Sequence, residues 1–595
     1  MCHTKLVLWR VVHAVESWNP QTGLFVALTH FAPSRYVRIV RLLSRTGMGM
    51  AHLPGVLKAL ILLSILGFPL LGLAGAPSSV GLAPTVPAVA MQFSGNGLTS
   101  LMWSGTEMLA SGVPSLGYVG LIQPDGSWTS GSQSPMTTAD IANHVLTQTY
   151  PWGTVKYAYT ATETQMFADV TIQNTSTTPI GMIIVQLLEM QFPSTPNEYD
   201  GSDPMVGWGM GNPTIIPTTF GSSKLVVTNE DVANPLMVGW PWALDSAKTI
   251  FPMRVLTGKD AMYPSSFPFI NRPIPAGGSM EFKIGFRFGA AAASNYALAG
   301  DLYQRFATAF PYTLQWTDHR PIAQLFLTSA NGTYPTNPRC WFGDGAVDTT
   351  TPAGIAAFQQ RVLAFADSSI AICRAENAQA AITWDIEGQQ FPQATSYIGD
   401  PRLATTLAPE MAGVIDAYFK KFTDAGLKIG MTIRPQQLIL SNDNQSAYQQ
   451  DAADPGALMI QKIQYAKQRW GATVFYVDSN GGPDDPMAPA FFQAVVKAVP
   501  GILLIPEHSN MEYYSITAPY GQLNMGVTGT PANVLLAYPQ AFSVTTISDA
   551  DVTDNMSALV SSVARGDALF FRGWFDANEN PLVQQIYQQA LSGTK

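Results

Sequence analysis

The stretch PEMAGVIDAYFKKFTDAGLKIGMTIRP (Pro409–Pro435) decides how the C-terminal half of the chain reads. Pro409–Ala425 is an amphipathic helical pattern, and it leads into an apolar strand, Lys428–Ile433, that stops at Arg434-Pro435. The same texture continues on both sides. Strands are predicted at Ala323–Thr328, Ala381–Ile386, Thr473–Val477, Gly501–Ile505, Gln522–Val527, Ala541–Ile547 and Ala568–Phe571, with a second clear helix at Pro455–Trp470. Eight strands with interleaved helices over residues 321–595 fit a (β/α)8 TIM barrel, which typically takes about 250 residues. A doubly wound open sheet is the rival, but the first strand is not followed by a Gly-rich phosphate turn.

Before residue 290 the texture is different. Runs such as Met166-Phe-Ala-Asp-Val-Thr-Ile-Gln alternate apolar and polar residues and stop at turn clusters such as Asn174-Thr-Ser-Thr-Thr-Pro. Gly181–Glu189, Ser223–Thr228 and Ser279–Phe288 read the same way, so residues 86–289 are expected to form a β-sandwich. Residues 290–320 read as a helical linker. The fold class is therefore multidomain α+β, an N-terminal β-sandwich followed by a C-terminal barrel.

Composition narrows the partners. The chain has 595 residues, of which 12% are charged and 47% hydrophobic. That charged share is about half the usual ~25%, while the apolar share is ample for packed cores. With 32 basic against 41 acidic residues, no nucleic acid is expected as a partner.

The one long apolar stretch is ALILLSILGFPLLGLAGA (Ala59–Ala76), preceded by Lys58 and interrupted by Pro69. Two readings stand. It ends in Ala74-Gly75-Ala76, as a cleavable signal peptide would, or it is a membrane anchor with Arg35, Arg38, Arg41, Arg45 and Lys58 on the cytoplasmic side. Residues 50–76 form this segment, with MAHLPGVLK as a short basic start. Residues 1–49 read as an over-extended start or a cytoplasmic tail. Either way the working part is expected outside the cytoplasm, periplasmic or secreted, touching membrane only through such an anchor.

The first 76 residues hold seven basic groups and one acidic group, so the remainder carries 25 and 40, a net charge of −15. Such a surface suits neutral substrates. Of the cysteines beyond the stretch, Cys340 and Cys373 read either as a pair or as two free buried thiols. Oligomeric state is not legible.

The strand ends carry the chemistry. In a TIM barrel, active groups sit at the C-terminal ends of strands. Here the second strand ends Trp384-Asp385-Ile386-Glu387, the third Ile433-Arg434, the fourth Val477-Asp478, the fifth Pro506-Glu507-His508, the seventh Ser548-Asp549 and the eighth Phe571-Arg572. Asp385 and Glu387 are two apart, so both can face one side. Single strand-end acids often cap helices or pair with arginines such as Arg434 and Arg572. Four acid-ended strands in a charge-poor chain point instead to paired carboxylates flanking a sugar acetal. Trp384, Tyr476, Tyr513, Tyr514 and Trp574 are candidates to stack on sugar faces. No cofactor or metal is expected. Beyond residue 76 the histidines are His144, His319 and His508, and their wide separation argues against zinc, although a cation near Asp385 and Glu387 stays open.

A β-sandwich, then WDIEG, then a helix into GLKIGMTIRP, then FYVDS resembles the retaining glycoside hydrolases of the α-glucosidase, α-galactosidase and melibiase group. GLTSLMWSGTEML (Gly97–Leu109) and MFADVTIQNTSTTPI are similar to strands of that group's N-terminal supersandwich. The resemblance implies a carbohydrate substrate, Asp385 and Glu387 as substrate-binding acids, and Asp478 as nucleophile. It departs at the acid/base, which that group places after the sixth strand, where this chain has no acid. The layout with Glu507 after the fifth strand and Asp549 after the seventh is similar to the α-amylase group. Glu507 is therefore the candidate general acid/base, with Asp549 the second choice. His508 reads as a packed or supporting neighbour of Glu507. Arg434, Trp384 and Arg572 complete the candidate substrate-binding set. An inverting mechanism and a non-catalytic carbohydrate-binding protein on the same scaffold remain open alternatives.

Overall fold

The computed structural model describes residues 88–196, 215–240, 242–257, 272–328, 334–388, 399–440, 447–482, 485–522, 529–547, 549–573 and 581–592. The apolar stretch Ala59–Ala76 and everything before it lie outside the described residues. So does Trp574, together with the side chains of Asp549 and Arg572. Among the described residues no helix is long and apolar enough to cross a membrane.

The described N-terminal half holds two large antiparallel sheets and a small three-stranded one, Val89–Ser94, Gly97–Trp103, Thr106–Glu107. A seven-stranded sheet runs Ile215–Phe220, Ser223–Asn229, Ser279–Ala290, Gln165–Asn174, Gly153–Ala161, Val145–Tyr150, Met136–Asp140. The second sheet is centred on Ile180–Gln191, flanked by Ile250–Leu256 and Ser115–Ile122. The cause is visible in Gln165–Asn174. Met166, Ala168, Val170 and Ile172 are buried, and the residues between them are half-exposed. These side chains meet Ile183, Val185 and Leu187 from the other sheet in one core. Asn174 ends the strand by an Asx turn: its Oδ1 accepts from the Ser176 N–H at 3.0 Å and its Nδ2 donates to the Thr178 carbonyl at 2.9 Å.

The linker forms helix α1 (Asn295–Ala309), capped by Ser294, and continues without regular structure to Pro321. Its buried face (Ala299, Leu302, Tyr303, Phe306) joins Val226 and Val232 of the sandwich to Met511, Tyr514, Val534 and Tyr538 beyond it. Residues Thr85–Lys595 accordingly form one compact unit.

The C-terminal half contains eight parallel strands: β1 (Ile322–Leu325), β2 (Ala380–Thr383), β3 (Lys428–Ile433), β4 (Val474–Val477), β5 (Leu503–Pro506), β6 (Tyr520–Gln522), β7 (Val544–Ile547) and β8 (Ala568–Gly573). Their order is 5-4-3-2-1-8-7-6. The Ala518 N–H just before β6 donates to the Leu504 carbonyl of β5 at 3.1 Å, so the two ends of this order meet and the sheet curls into a barrel. Side chains alternate. Ile322, Ala380, Ile382, Val474, Tyr476, Leu503, Ile505, Val544 and Phe570 fill the interior. Ala323, Ala381, Ile429, Met431, Phe475, Leu504 and Leu569 face the surrounding helices. Gly430 lets β3 and β4 approach, since a Cβ there would sit 2.0 Å from the Val474 carbonyl oxygen.

Helix α2 (Pro455–Trp470) has the bounds predicted, with Asp454 accepting from the Ala457 N–H at 2.9 Å and Gly471 ending it at φ 75°. Pro409–Ala425, by contrast, is not one helix. It is a 3-10 turn, Pro409–Met411, followed by Ile415–Asp424. Cys340 and Cys373 are both buried and are not bonded to each other, and burial pushes the Cys373 thiol up to about 12.

Candidate active site

Alternation decides which strand-end groups converge. Arg434 continues the inward side of β3, Asp478 that of β4 after Val474 and Tyr476, and Glu507 that of β5 after Leu503 and Ile505. These three side chains therefore crown the barrel interior together. Arg434 Nε donates to Asp478 Oδ2 at 2.5 Å, in a pair whose side chains are 16% and 10% exposed. Glu507 Oε2 accepts from the N–H of Ser479, the residue after Asp478, at 2.8 Å. Burial, then the neighbouring Asp478 carboxylate, pushes the Glu507 carboxyl up to about 7.

The backbone holds this geometry beyond the ends of the strands. The Asn480 side-chain amide accepts from the His508 N–H at 3.0 Å and donates to the His508 carbonyl at 2.8 Å. It thus continues the β4–β5 ladder by one rung, next to Asp478 and Glu507. Ser479, between Asp478 and Asn480, has φ 58°, which costs a non-glycine residue free energy. Gln436 Nε2 donates to the Ser479 carbonyl at 3.0 Å. His508 Nε2 lies 3.6 Å from Glu507 Oε2, and burial holds its imidazole below the ordinary histidine value.

Asp385 and Glu387 sit in a turn that the Gly388 N–H closes on the Asp385 carbonyl at 2.9 Å. They lie past the end of β2 and both are 1% exposed. Asp385 accepts from the Leu327 N–H at 2.9 Å, the Thr328 N–H at 3.1 Å and the Thr328 hydroxyl, so it binds the end of β1 to the end of β2. Glu387 accepts from the Gly399 N–H at 2.5 Å and the Asp400 N–H at 3.1 Å. Burial above all pushes these carboxyls up to about 6 and about 7 respectively. Among the described residues no cluster of three or more metal-binding side chains forms.

Trp384 points inward and is half-buried, 4.5 Å from the Tyr476 ring between centroids. Tyr476, Tyr513 and Tyr514 are 2%, 0% and 5% exposed. They belong to packed cores and leave no face for a sugar, which corrects that expectation. Arg572 lies on β8 in register with Gln324 of β1. Asp549 opens the helix Asp549–Ala564.

Sequence reading missed Lys462, Asn480 and Gln436. Lys462 left a signal, as a cation inside the apolar stripe Met459, Ile463, Ala466, Trp470 of α2. A cavity of about 450 Å³ lined by Phe310, Pro311, Leu314, Val499 and Ile502 lies at the N-terminal end of β5, away from the carboxylates.

No family model and no curated protein matches the chain. Several solved structures are similar to it. The α-N-acetylgalactosaminidase NagBb of Bifidobacterium bifidum, in its GalNAc complex, is 10% identical, with 85% of this chain and 92% of that one covered at a TM-score of 0.48. The GH36 α-galactosidase AgaA of Geobacillus stearothermophilus, in complex with raffinose, is 10% identical, with 86% and 85% covered and a TM-score of 0.42. A GH31 α-xylosidase from a soil metagenome, complexed with xylose, is 9% identical, with 78% and 83% covered and a TM-score of 0.33. No residue role is taken from them.

Proposed function

We propose that the chain is a glycoside hydrolase that cleaves a neutral oligo- or polysaccharide outside the cytoplasm, with Asp478 as nucleophile and Glu507 as acid/base. The observation that carries this is the convergence of two carboxyls and one arginine at the inner mouth of the barrel, with Asp478 paired to Arg434 and Glu507 left to carry an exchangeable proton. Glu507, with its value near 7, holds that proton close to neutrality and can deliver it to a leaving oxygen. Arg434 compensates the charge of Asp478, which attacks the anomeric carbon. Glu507, once deprotonated, then removes a proton from the water that releases the sugar. A carboxylate nucleophile paired with an acid/base implies retention of the anomeric configuration. The net charge of −15 beyond residue 76 favours neutral substrates, and the apolar stretch Ala59–Ala76 supports export or anchoring.

The test is hydrolysis of a panel of activated aryl glycosides and neutral oligosaccharides by the wild type, Asp478→Ala and Glu507→Gln. Large losses in both variants, with azide restoring turnover and giving a glycosyl azide in Asp478→Ala, are expected. Full activity in either variant overturns the assignment. A second reading, a carbohydrate-binding protein, draws on the same contact. The Arg434–Asp478 pair, at 2.5 Å, can equally bind sugar hydroxyls without turnover. Saturable sugar binding without turnover across the panel would favour it.

A further inference from the structure

Lys462 has no direct place in the chemistry above, yet its side chain is 0% exposed and lies one segment away from that site. It reaches out of the apolar face of α2, and its ammonium donates to three backbone carbonyls. These are Gly399 at 3.1 Å, Arg434 at 2.7 Å and Gln436 at 2.8 Å, so all three donors are used. Its nearest carboxylate, Asp400, is 3.8 Å away and is itself engaged by Arg402 at 2.8 Å.

The three carbonyls belong to the two segments that fix Arg434. The Arg434 N–H donates to the Gly399 carbonyl at 3.1 Å, the same oxygen that Lys462 binds. The Arg434 carbonyl is held by Lys462 directly. Both peptide groups around the Arg434 Cα are therefore tied to one ammonium. The Gly399 N–H is in turn held by Glu387. Gly399 has φ 64°, and a Cβ there would lie 2.8 Å from the Arg434 nitrogen, so the close approach is specific to glycine.

We infer that Lys462 is a positioning residue that sets the Arg434 guanidinium against Asp478, with Glu387 and Gly399 as the other two supports. This rests on the proposed role of Asp478 and Glu507, but the linkage itself is testable without turnover. A buried ammonium is costly to keep, and hydrophobic residues of similar length would pack against Met459 and Ile463 at less cost. Its retention at this point is explained by what it holds. Burial lowers the Lys462 ammonium to about 8, while Asp400 and Glu387 on one side and Arg402 and Arg434 on the other face it with opposing effects.

The experiment compares wild type, Lys462→Met, Lys462→Arg and Arg434→Gln in full-length protein. The titration of the Glu507 carboxyl, which the Arg434 charge lowers, is followed by carboxyl-carbon NMR, with Glu507→Gln used for assignment. If Lys462 positions Arg434, Lys462→Met raises the Glu507 titration in the same direction as Arg434→Gln. Lys462→Arg, which keeps donors and charge, returns it toward wild type. A folded Lys462→Met protein with a wild-type carboxyl titration overturns the inference, whether or not any sugar is hydrolysed. Where turnover is found, kcat in Lys462→Met should fall on the order of a hundredfold with little change in KM. An equal loss through KM alone also contradicts the role. Should Lys462→Met fail to fold, Gly399→Ala perturbs the same carbonyl from the other side and must shift the titration alike.

Discussion

Replacing Glu507 by Gln tests the Glu507 proton through stability alone. The amide keeps the size of the side chain, but it cannot ionise. In the unfolded chain Glu507 ionises at its ordinary 4.5, and in the fold near 7. Between those values the folded state holds the extra proton, so stability falls as pH rises, and the loss is complete above about pH 7. Below about pH 4.5 both states are protonated and the penalty is absent. At 1.36 kcal/mol per pH unit of displacement the ceiling is about 3 kcal/mol. The Glu507 side chain is 30% exposed, and solvent screening brings this to about 1–2 kcal/mol. Urea unfolding of both proteins from pH 4 to 8 is the assay. The variant should match the wild type near pH 4 and exceed it by about 1–2 kcal/mol at pH 8. A difference that stays constant across that range would refute the reasoning, because no proton would then be linked to folding at this position.

Three other outcomes follow from the same geometry. Arg434→Gln strips Asp478 of its partner in a mostly buried pair and should cost about 2–4 kcal/mol in urea unfolding. Ser479→Gly keeps the N–H that Glu507 accepts and relieves φ 58°, so it should raise unfolding stability by about 1 kcal/mol. Arg287 is 4% exposed and joins Glu230 of the sandwich to Asp301 of α1. Arg287→Met therefore leaves Glu230 to the Thr228 hydroxyl and the half-exposed Arg305, and should cost about 3 kcal/mol, seen by calorimetry.

The sequence was most informative where one pattern acted without competition. Strand β3 has the predicted bounds because an apolar run meets Pro435, which has no N–H to extend a ladder. The sixth strand was predicted at Gln522–Val527, whereas Tyr520–Gln522 pairs with β7. Residues 523–528 lie outside the described residues. Pro409–Ala425 broke into two pieces for tertiary reasons. The Glu410 carboxylate is taken by the Trp341 indole at 2.7 Å and its carbonyl by Gln359 at 2.9 Å, which fixes a turn where local periodicity favours a helix. The spacing of Asp385 and Glu387 puts both on one side only while strand alternation lasts, and β2 stops at Thr383. Convergence of Asp478 and Glu507 needed only strand parity, so it was legible. Lys462 needed the path of residues 399–400, which no local pattern encodes.

The shared core around α1 has a consequence for how such a chain can evolve. Val226 of the sandwich, Phe306 of the linker, and Tyr514 and Tyr538 of the barrel half pack in one cluster. A gene fragment encoding only the barrel would leave Tyr514 and Tyr538 without their cover and present an apolar scar to solvent. Recombination that moves the barrel to a new context must therefore carry the sandwich with it, or supply a surface that matches the scar. The two halves travel as one heritable module, although the repeat pattern of the second half alone reads as self-sufficient.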